Sequence, residues 1–192
     1  MTANKVRYGL KNIYIAPVTV GANNAVTFGT PKALPGAVNV EIAPRGETSD
    51  FWADDMIYFS GRSSSGYDIT AEVALVPDWF KKDYLGLVED DNGVLVETSG
   101  GNTDNYFAFL FEFTGDQNAI RHALYYCKAT APTLSGATMA DGGPEPATTE
   151  INITSLPRPD NKQVQSCTAE ETDATAYNSW YSTVYEPEIA GQ

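Results

Sequence analysis

The chain has 192 residues, with 25 acidic side chains against 12 basic ones, a formal net charge of −13, one histidine and two cysteines. This length suits one domain with a substantial core, and the 42% hydrophobic fraction excludes a disordered chain. The acidic balance argues against a surface that grips nucleic-acid phosphates, which needs clustered lysine and arginine. One histidine excludes multi-histidine metal sites, and the two cysteines match neither a zinc spacing nor a CxxC redox pair.

The first residues are basic, but no apolar segment follows them, so we expect no signal peptide. No apolar run approaches the roughly 18 residues that span a bilayer, so we expect no membrane association. These features predict synthesis in the cytoplasm, with both thiols reduced.

The N-terminal segment, residues 1–11, is predicted to be an extended arm. It contains Lys5, Arg7 and Lys11 and no acidic residue, a local charge of +3. The predicted C-terminal arm, residues 166–192, contains five acidic residues and no base, a local charge of −5. Two solvated tails would explain this pattern equally well. Alternatively, the two arms meet across a subunit contact, where opposite charge fixes register and partner choice.

Period-2 alternation predicts that the domain is built mainly from β-strands. In the segments 38–42 and 67–75, polar residues alternate with apolar ones, so one face should pack on a core and the other should meet water. The polar positions of these two strands include Asn39, Glu41, Asp68, Thr70 and Glu72. Further strands are predicted over 12–20, 55–60, 94–97, 121–130 and 148–156.

The strongest strand pattern lies at 107–113, where phenylalanine occupies four alternate positions. A helix would scatter these rings around its axis, whereas a strand places all four on one face. The segment 124–127 is apolar at every position, which is typical of a strand covered on both faces.

One helix is predicted to flank the strands, over residues 77–87. Proline suits the first turn, the carboxylate of Asp78 is favoured by the helix dipole, and Gly86 can end the helix in the left-handed conformation. A second, shorter helix is predicted over 174–184. Together these elements predict a mainly β protein, a single antiparallel β-sandwich or barrel with one flanking α-helix.

A long inter-strand loop is predicted over 44–63. It contains Glu47, Asp50, Phe51, Trp52, Asp54 and Asp55. As a plain surface loop it would expose two large aromatic side chains without benefit. We therefore expect a long hairpin loop that inserts between subunits or between rings of subunits, with Phe51 and Trp52 as the anchoring side chains.

No segment has the pattern of a catalytic, metal or cofactor site. Residues 61–66 imitate the start of a phosphate-binding loop, but Tyr67 and Asp68 stand where lysine and serine or threonine are needed. Residues 90–93 resemble part of a calcium-binding loop, but the acidic ligands that such a loop needs at its first and twelfth positions are missing. His122 has no recognisable nucleophile nearby. We therefore expect no enzyme and no cofactor.

A series of short stretches, taken in order, resembles one known family. The stretches are 5–12, 34–38, 53–59, 65–68, 76–80, 84–86, 91–97, 107–116, 121–127 and 184–187. The series resembles the major tail protein of bacteriophages with long, non-contractile (siphovirus-type) tails, the subunit of the tail tube. Order and spacing carry the resemblance over nearly the whole chain. It departs at 54–55, where Asp-Asp replaces the expected Asp-Asn, and at 136–147, where the loop is longer and richer in glycine and proline.

The resemblance implies a β-sandwich whose copies form six-membered rings, stacked into a hollow tube in the virion. Phage DNA and the tape measure protein would pass through the lumen without tight binding, and tail terminator and tail-tip proteins would contact the tube. The lumen-lining candidates are Asn39, Glu41, Asp68, Thr70 and Glu72, unless they form an ordinary outer solvent face. The candidates for subunit or ring contacts are Lys5, Arg7, Lys11, Glu47, Phe51, Trp52, Asp54, Asp55, Trp180 and Tyr181.

Two other classes of protein stay open on the sequence. A carbohydrate-binding β-sandwich would also be acidic and aromatic-rich, with Trp52, Trp79 or Trp180 stacking on sugars, although such modules are usually secreted. Another tail component, or the tube protein of a contractile injection machine, would share the fold and the mode of assembly.

Overall fold

The computed structural model describes residues 4–99, 105–133 and 146–187. The strands are β1 (Arg7–Val20), β2 (Val26–Phe28), β3 (Lys32–Ala33), β4 (Ala37–Arg45), β5 (Thr48–Ala53), β6 (Met56–Arg62), β7 (Gly66–Val73), β8 (Val88–Glu89), β9 (Leu95–Val96), β10 (Tyr106–Gly115), β11 (Ile120–Ala129), β12 (Thr149–Ser155) and β13 (Gln165–Cys167). The helices are α1 (Asp78–Tyr84) and α2 (Ala174–Ser179). Most of the predicted loop at 136–147, and the outer ends of both predicted arms, lie outside the described residues.

Nine strands form one antiparallel sheet in the order β2–β1–β10–β11–β12–β7–β4, with β13 beside β11 and β3 beside β1. The sheet curls, so that strands from both of its halves contribute to one core. Strands β5 and β6 form a separate hairpin, residues 46–63, which we call the β5–β6 hairpin. The prediction of a mainly β, antiparallel fold with a flanking helix is confirmed.

The main core lies on the concave side of the sheet. Phe107, Phe109 and Phe111 of β10 are fully buried there, on the single face that their alternation predicts. Helix α1 closes this core with Phe80 and Tyr84, whose rings lie 5.8 and 4.8 Å from that of Phe107. Helix α1 follows β7 after a short connection, and its aromatic face lies over β10.

The opposite face of β10 and β11 is also buried, under the C-terminal segment (residues 168–187). The covered side chains are Ala108, Leu110, Ala123 and Tyr125, and the covering ones are Trp180 and Val184. The indole of Trp180 is only 2% exposed. This differs from the expectation of an extended C-terminal arm, because the outer face of β10–β11 is itself apolar and is stabilised by this cover.

The N-terminal segment differs from a free arm in the same way. Arg7 to Lys11 form the first part of β1 and pair with β10, Arg7 opposite Gly115. Gly9 and Asn12 have φ values of 66° and 53°, and the register shifts close to both. These irregularities bend the strand without detaching it, so the basic side chains are held on the sheet.

Candidate functional site

The β5–β6 hairpin continues the β4–β7 pair beyond the main sheet. The backbone amide of Ser65 donates to the carbonyl of Arg45 (2.9 Å), and that of Ser63 donates to the carbonyl of Glu47 (3.0 Å). The strands approach so closely at Gly46 that a Cβ there would lie 2.1 Å from the carbonyl oxygen of Ser63. Backbone pairing therefore aims the hairpin away from the core as a two-stranded ribbon.

The hairpin ends in a two-residue turn made by Asp54 and Asp55. Their φ values are 52° and 57°, and positive φ at both positions is the pattern of a type I′ turn. Aspartate and asparagine tolerate this conformation better than most side chains do. The Asp-Asp pair that departs from the expected Asp-Asn therefore fits the tight turn equally well.

Six large apolar side chains of the hairpin are exposed, by between 48% and 71% of their surface. They are Phe51, Trp52, Met56, Ile57, Tyr58 and Phe59. Phe51 lies opposite Phe59 and Trp52 opposite Ile57, and successive residues of a strand point to opposite faces. Both faces of the ribbon are thus apolar. Exposed apolar surface of this extent is typical of surfaces that bind another molecule.

The same hairpin is acidic. It carries Glu47, Asp50, Asp54 and Asp55, and no lysine or arginine lies between residues 46 and 61. The hydroxyl of Ser60 donates to Asp50 at 2.6 Å. Arg62, at the end of β6, is the only lysine or arginine of the hairpin, and none of the ion pairs formed elsewhere in the described chain involves these four carboxylates. The predicted contact residues Glu47, Phe51, Trp52, Asp54 and Asp55 are therefore brought together on one projecting element.

The second notable surface is the outer face of β4 and β7. Asn39 lies opposite Glu72, Glu41 opposite Thr70, and Asp68 lies on the same face. Strand β12 extends the face with Glu150, Asn152 and Thr154, opposite Glu72, Thr70 and Asp68. All five predicted lumen residues thus share one polar face, and the reverse face of these strands is the core.

This polar face carries more carboxylates than cations. The carboxylates are Glu41, Asp68, Glu72 and Glu150, and the cations are Arg45 and Lys128. Arg45 Nε lies 3.5 Å from Asp68 Oδ2, and the Thr148 hydroxyl donates to Glu72. The face therefore presents a net negative charge to whatever lies against it.

The predicted basic contact residues lie at the beginning of β1. Lys5, Arg7 and Lys11 are exposed there. The Arg7 guanidinium lies 5.0 Å from the centre of the Phe113 ring. Tyr8 is 57% exposed. This part of the sheet therefore combines positive charge with an accessible aromatic side chain.

Trp180 and Tyr181, two further predicted contact residues, pack against the sheet of their own subunit. Trp180 is buried against β10 and β11, which also removes it as a sugar-stacking side chain. Tyr181 stacks on Tyr14 with ring centres 4.7 Å apart and donates its hydroxyl to Glu112 at 3.1 Å. Burial and the Glu112 carboxylate raise the pKa of Tyr181. Both side chains therefore hold the C-terminal segment to the sheet, and their predicted role in ring contacts stays a prediction.

A buried ionic network at Glu112 could not be anticipated from its strand alone. Glu112 is 6% exposed and accepts hydrogen bonds from Asn12 (2.7 Å), Arg121 (3.1 Å) and Tyr181. The Arg121 guanidinium stacks 3.8 Å over the ring of Tyr177 and donates to the Tyr177 carbonyl. The network fastens the C-terminal segment to β10 and β11. The sequence signal for this network was a single acidic residue, Glu112, within the aromatic strand β10.

Of the histidine and the two cysteines, Cys127 is buried in the core, His122 is partly buried and Cys167 is exposed. His122 stacks on Phe111 with ring centres 5.0 Å apart, and burial lowers the pKa of His122 to about 4. Burial raises the pKa of the Cys127 thiol to about 12.

No group of three or more His, Cys, Asp or Glu residues that could hold a metal ion occurs in the described ranges. In the same ranges, no helix is long and apolar enough to cross a membrane.

Comparison with known proteins gives one informative match. The family model described as phage tail tube protein matches residues 2–184, which include every strand and helix of the structure. No curated protein matches the chain. The match spans the curled sheet, the β5–β6 hairpin and most of the C-terminal segment together. The chain therefore belongs to the phage tail tube protein family, whose members are structural components of the virion.

Proposed function

We propose that this protein forms hexameric rings that stack into the tail tube of a phage with a long, non-contractile tail, the conduit through which DNA is ejected into the host. The observation that carries the proposal is the exposed apolar β5–β6 hairpin. A chain that completes its core yet leaves six large apolar side chains outside gains stability by burying them against another molecule. In a tube, that molecule is a second copy.

An unpaired strand edge supports ring formation. Strand β4 ends the sheet and pairs with β7 alone within the described chain. Such an edge offers a row of backbone groups to a strand of a neighbouring copy. Joining subunits at this edge would extend the polar face of β4, β7 and β12 from one copy to the next.

The polar face would then line the lumen, with Asn39, Glu41, Asp68, Thr70 and Glu72 directed inward. Its excess of carboxylates repels the phosphates of DNA at distances below the Debye length, about 8 Å at physiological salt. DNA would therefore slide past without being held. The tape measure protein would occupy the same channel before ejection, and tail terminator and tail-tip proteins would bind the two end rings.

Negative-stain electron microscopy of the purified protein over a concentration series tests the proposal. Hollow tubes or rings of uniform width with sixfold symmetry are expected. A protein that stays monomeric at the highest concentration, even with a tail-tip nucleus supplied, would refute it.

The assignment of the lumen face has its own test. Glu41→Lys combined with Glu72→Lys should leave tubes intact but slow or block DNA ejection, because cations in the channel bind phosphate. A matched control is Asp91→Lys combined with Glu97→Lys, which makes the same charge change near β8 and β9. Normal ejection from phages carrying the first pair would reject these positions as lumen-lining.

A further inference from the structure

We infer that the β5–β6 hairpin of one copy docks on the first part of β1 in a second copy, where an acidic aromatic ribbon meets a basic, partly apolar strand edge. We call the receiving surface the basic edge and define it as residues 5–14. The inference rests on the proposed function, since it names the surface that receives the hairpin in the assembly.

The hairpin needs a partner that is both apolar and cationic. Both of its faces carry exposed aromatic or aliphatic side chains, and its four carboxylates outnumber its one cation, Arg62. Burying carboxylates against an uncharged surface would leave them desolvated and unpaired, which is strongly unfavourable. A receiving surface with lysine or arginine around apolar contacts removes that penalty.

The basic edge has these properties. Lys5, Arg7 and Lys11 are exposed and form no ion pair in the part of the chain that the structure describes. Val6 and Tyr8 between them are 56% and 57% exposed. Residues 4–11 contain no acidic side chain, although Asp116 accepts a hydrogen bond from the Lys5 backbone amide (2.9 Å).

Most other cations of the described chain are already engaged. Arg45 pairs with Asp68, Lys81 with Asp78, Lys82 with Glu89, Arg121 with Glu112, and Arg158 with Asp160 and Glu186. The basic edge is therefore where positive charge remains clustered and accessible.

The basic edge also offers a recess and free backbone groups. A groove of about 390 Å³ runs beside it, lined by residues 10–14 and 33–37. Strand β3 pairs with β1 at Tyr14 and Ile15, and Leu34 donates its amide to the Ile13 carbonyl. Before Ile13, the side of β1 opposite β10 has no strand partner within the described residues. A strand of the hairpin can add there and place a large side chain in the groove.

The contact joins two different surfaces, so each copy gives one hairpin and receives another. Such heterologous contacts close into rings or continue as open filaments, and they do not stop at a dimer. The acidic face of β4, β7 and β12 repels the acidic hairpin, which directs docking to the basic edge.

A pair of complementary charge reversals tests the inference. The hairpin variant carries Glu47→Lys and Asp50→Lys, which leave the turn at Asp54 unchanged. The edge variant carries Lys5→Glu and Lys11→Glu. With Arg62 included, the hairpin variant changes the charge of the hairpin from −3 to +1, facing an edge of +3, and the edge variant changes the edge from +3 to −1, facing a hairpin of −3. In either variant alone the two docking surfaces therefore have the same sign, so the concentration needed for assembly should rise about tenfold or more. Mixed in equal amounts, the two variants should assemble together, because each contact between unlike copies pairs opposite charges.

The control carries Lys81→Glu and Lys82→Glu on α1, which change the net charge as the edge variant does, and it should assemble like wild type. In wild-type tubes, a zero-length carbodiimide cross-linker should join Lys5 or Lys11 to Asp54 or Asp55 of another copy. Normal assembly of each variant alone, or folded variants that fail to assemble when mixed, would overturn the inference while the proposed function stands. A wild-type chain that never assembles would instead defeat the proposed function, and the inference with it.

Discussion

Strand β10 and the β5–β6 hairpin are both rich in aromatic side chains, and they differ in what covers them. Phe107 and Phe109 are fully buried, whereas Phe51 and Phe59 are 61% and 64% exposed. Strand β10 has strands on both edges, α1 and the curled sheet over one face, and the C-terminal segment over the other. The hairpin leaves the sheet before any described element can cover it. Aromatic strands of this protein are thus buried where the chain folds over them and exposed where it does not.

The largest effect on stability should come from Trp180, the buried tryptophan that covers β10 and β11. Trp180→Ala should lower the free energy of unfolding by about 3–5 kcal/mol, because it leaves a cavity over β10 and β11. Urea denaturation followed by circular dichroism measures this change. Trp180→Phe keeps part of the contact and should lose less. A loss below about 1 kcal/mol from Trp180→Ala would contradict the burial of this side chain by the C-terminal segment.

The ionic network beneath the C-terminal segment should have the next largest effect. Glu112→Ala leaves the Arg121 guanidinium largely buried without its carboxylate and should lower the free energy of unfolding by about 2–4 kcal/mol. Limited proteolysis should then cleave within 168–187 faster than in wild type. Unchanged stability together with unchanged protease resistance would show that the network does not hold the segment.

A smaller effect should follow from the packing of His122 in the core. The pKa of His122 is about 4 in the folded chain, against 6.5 for a free side chain. Between these values the unfolded chain binds a proton that the folded chain excludes. The stabilisation is therefore complete above pH 6.5 and is lost as the pH falls towards 4.

Because the ring is partly exposed, the expected loss between about pH 7.5 and about pH 5 is about 1 kcal/mol. His122→Phe keeps an aromatic ring beside Phe111 and removes the titration. Its free energy of unfolding should depend less on pH than that of wild type by this amount. An identical pH dependence in both proteins would contradict a neutral, packed His122.

The smallest effect on stability should come from the exposed hairpin. Trp52 is 62% exposed, so Trp52→Ala should change the free energy of unfolding by no more than about 0.5 kcal/mol. The same urea titration used for Trp180→Ala measures it. A loss of several kcal/mol would show that the hairpin is part of the subunit's own core.

Local patterns were sufficient to predict most of the long strands, but not β2, β3, β5 or β13. Four alternating phenylalanines predict β10 from neighbouring residues alone, and the polar faces of β4 and β7 follow in the same way. That Asn39 lies opposite Glu72, and that Glu150 joins the same face, depends on pairings between distant parts of the chain. The alternation of residues in β12 indicates which of its side chains share the polar face. It does not indicate which strands lie beside β12.

The C-terminal segment shows what its sequence did not indicate. Its five carboxylates suggested a solvated or intersubunit arm, whereas Trp180 and Val184 pack on the outer face of β10 and β11. The uniformly apolar segment 124–127 did predict cover on both faces of its strand. It could not show which part of the chain provides that cover, because apolar packing is non-directional. The six exposed apolar residues of the hairpin were likewise only partly anticipated, since exposure depends on where the sheet ends.

Assembly of Trp52→Ala tests most directly the claim that the exposed hairpin joins subunits. Wild type, Trp52→Ala and the control Val88→Ala, whose side chain is equally exposed at 62% on β8, are compared by negative-stain electron microscopy at the same concentration. Wild type and Val88→Ala should form tubes of uniform width, whereas Trp52→Ala should stay folded and unassembled. Normal tubes from Trp52→Ala would contradict the account.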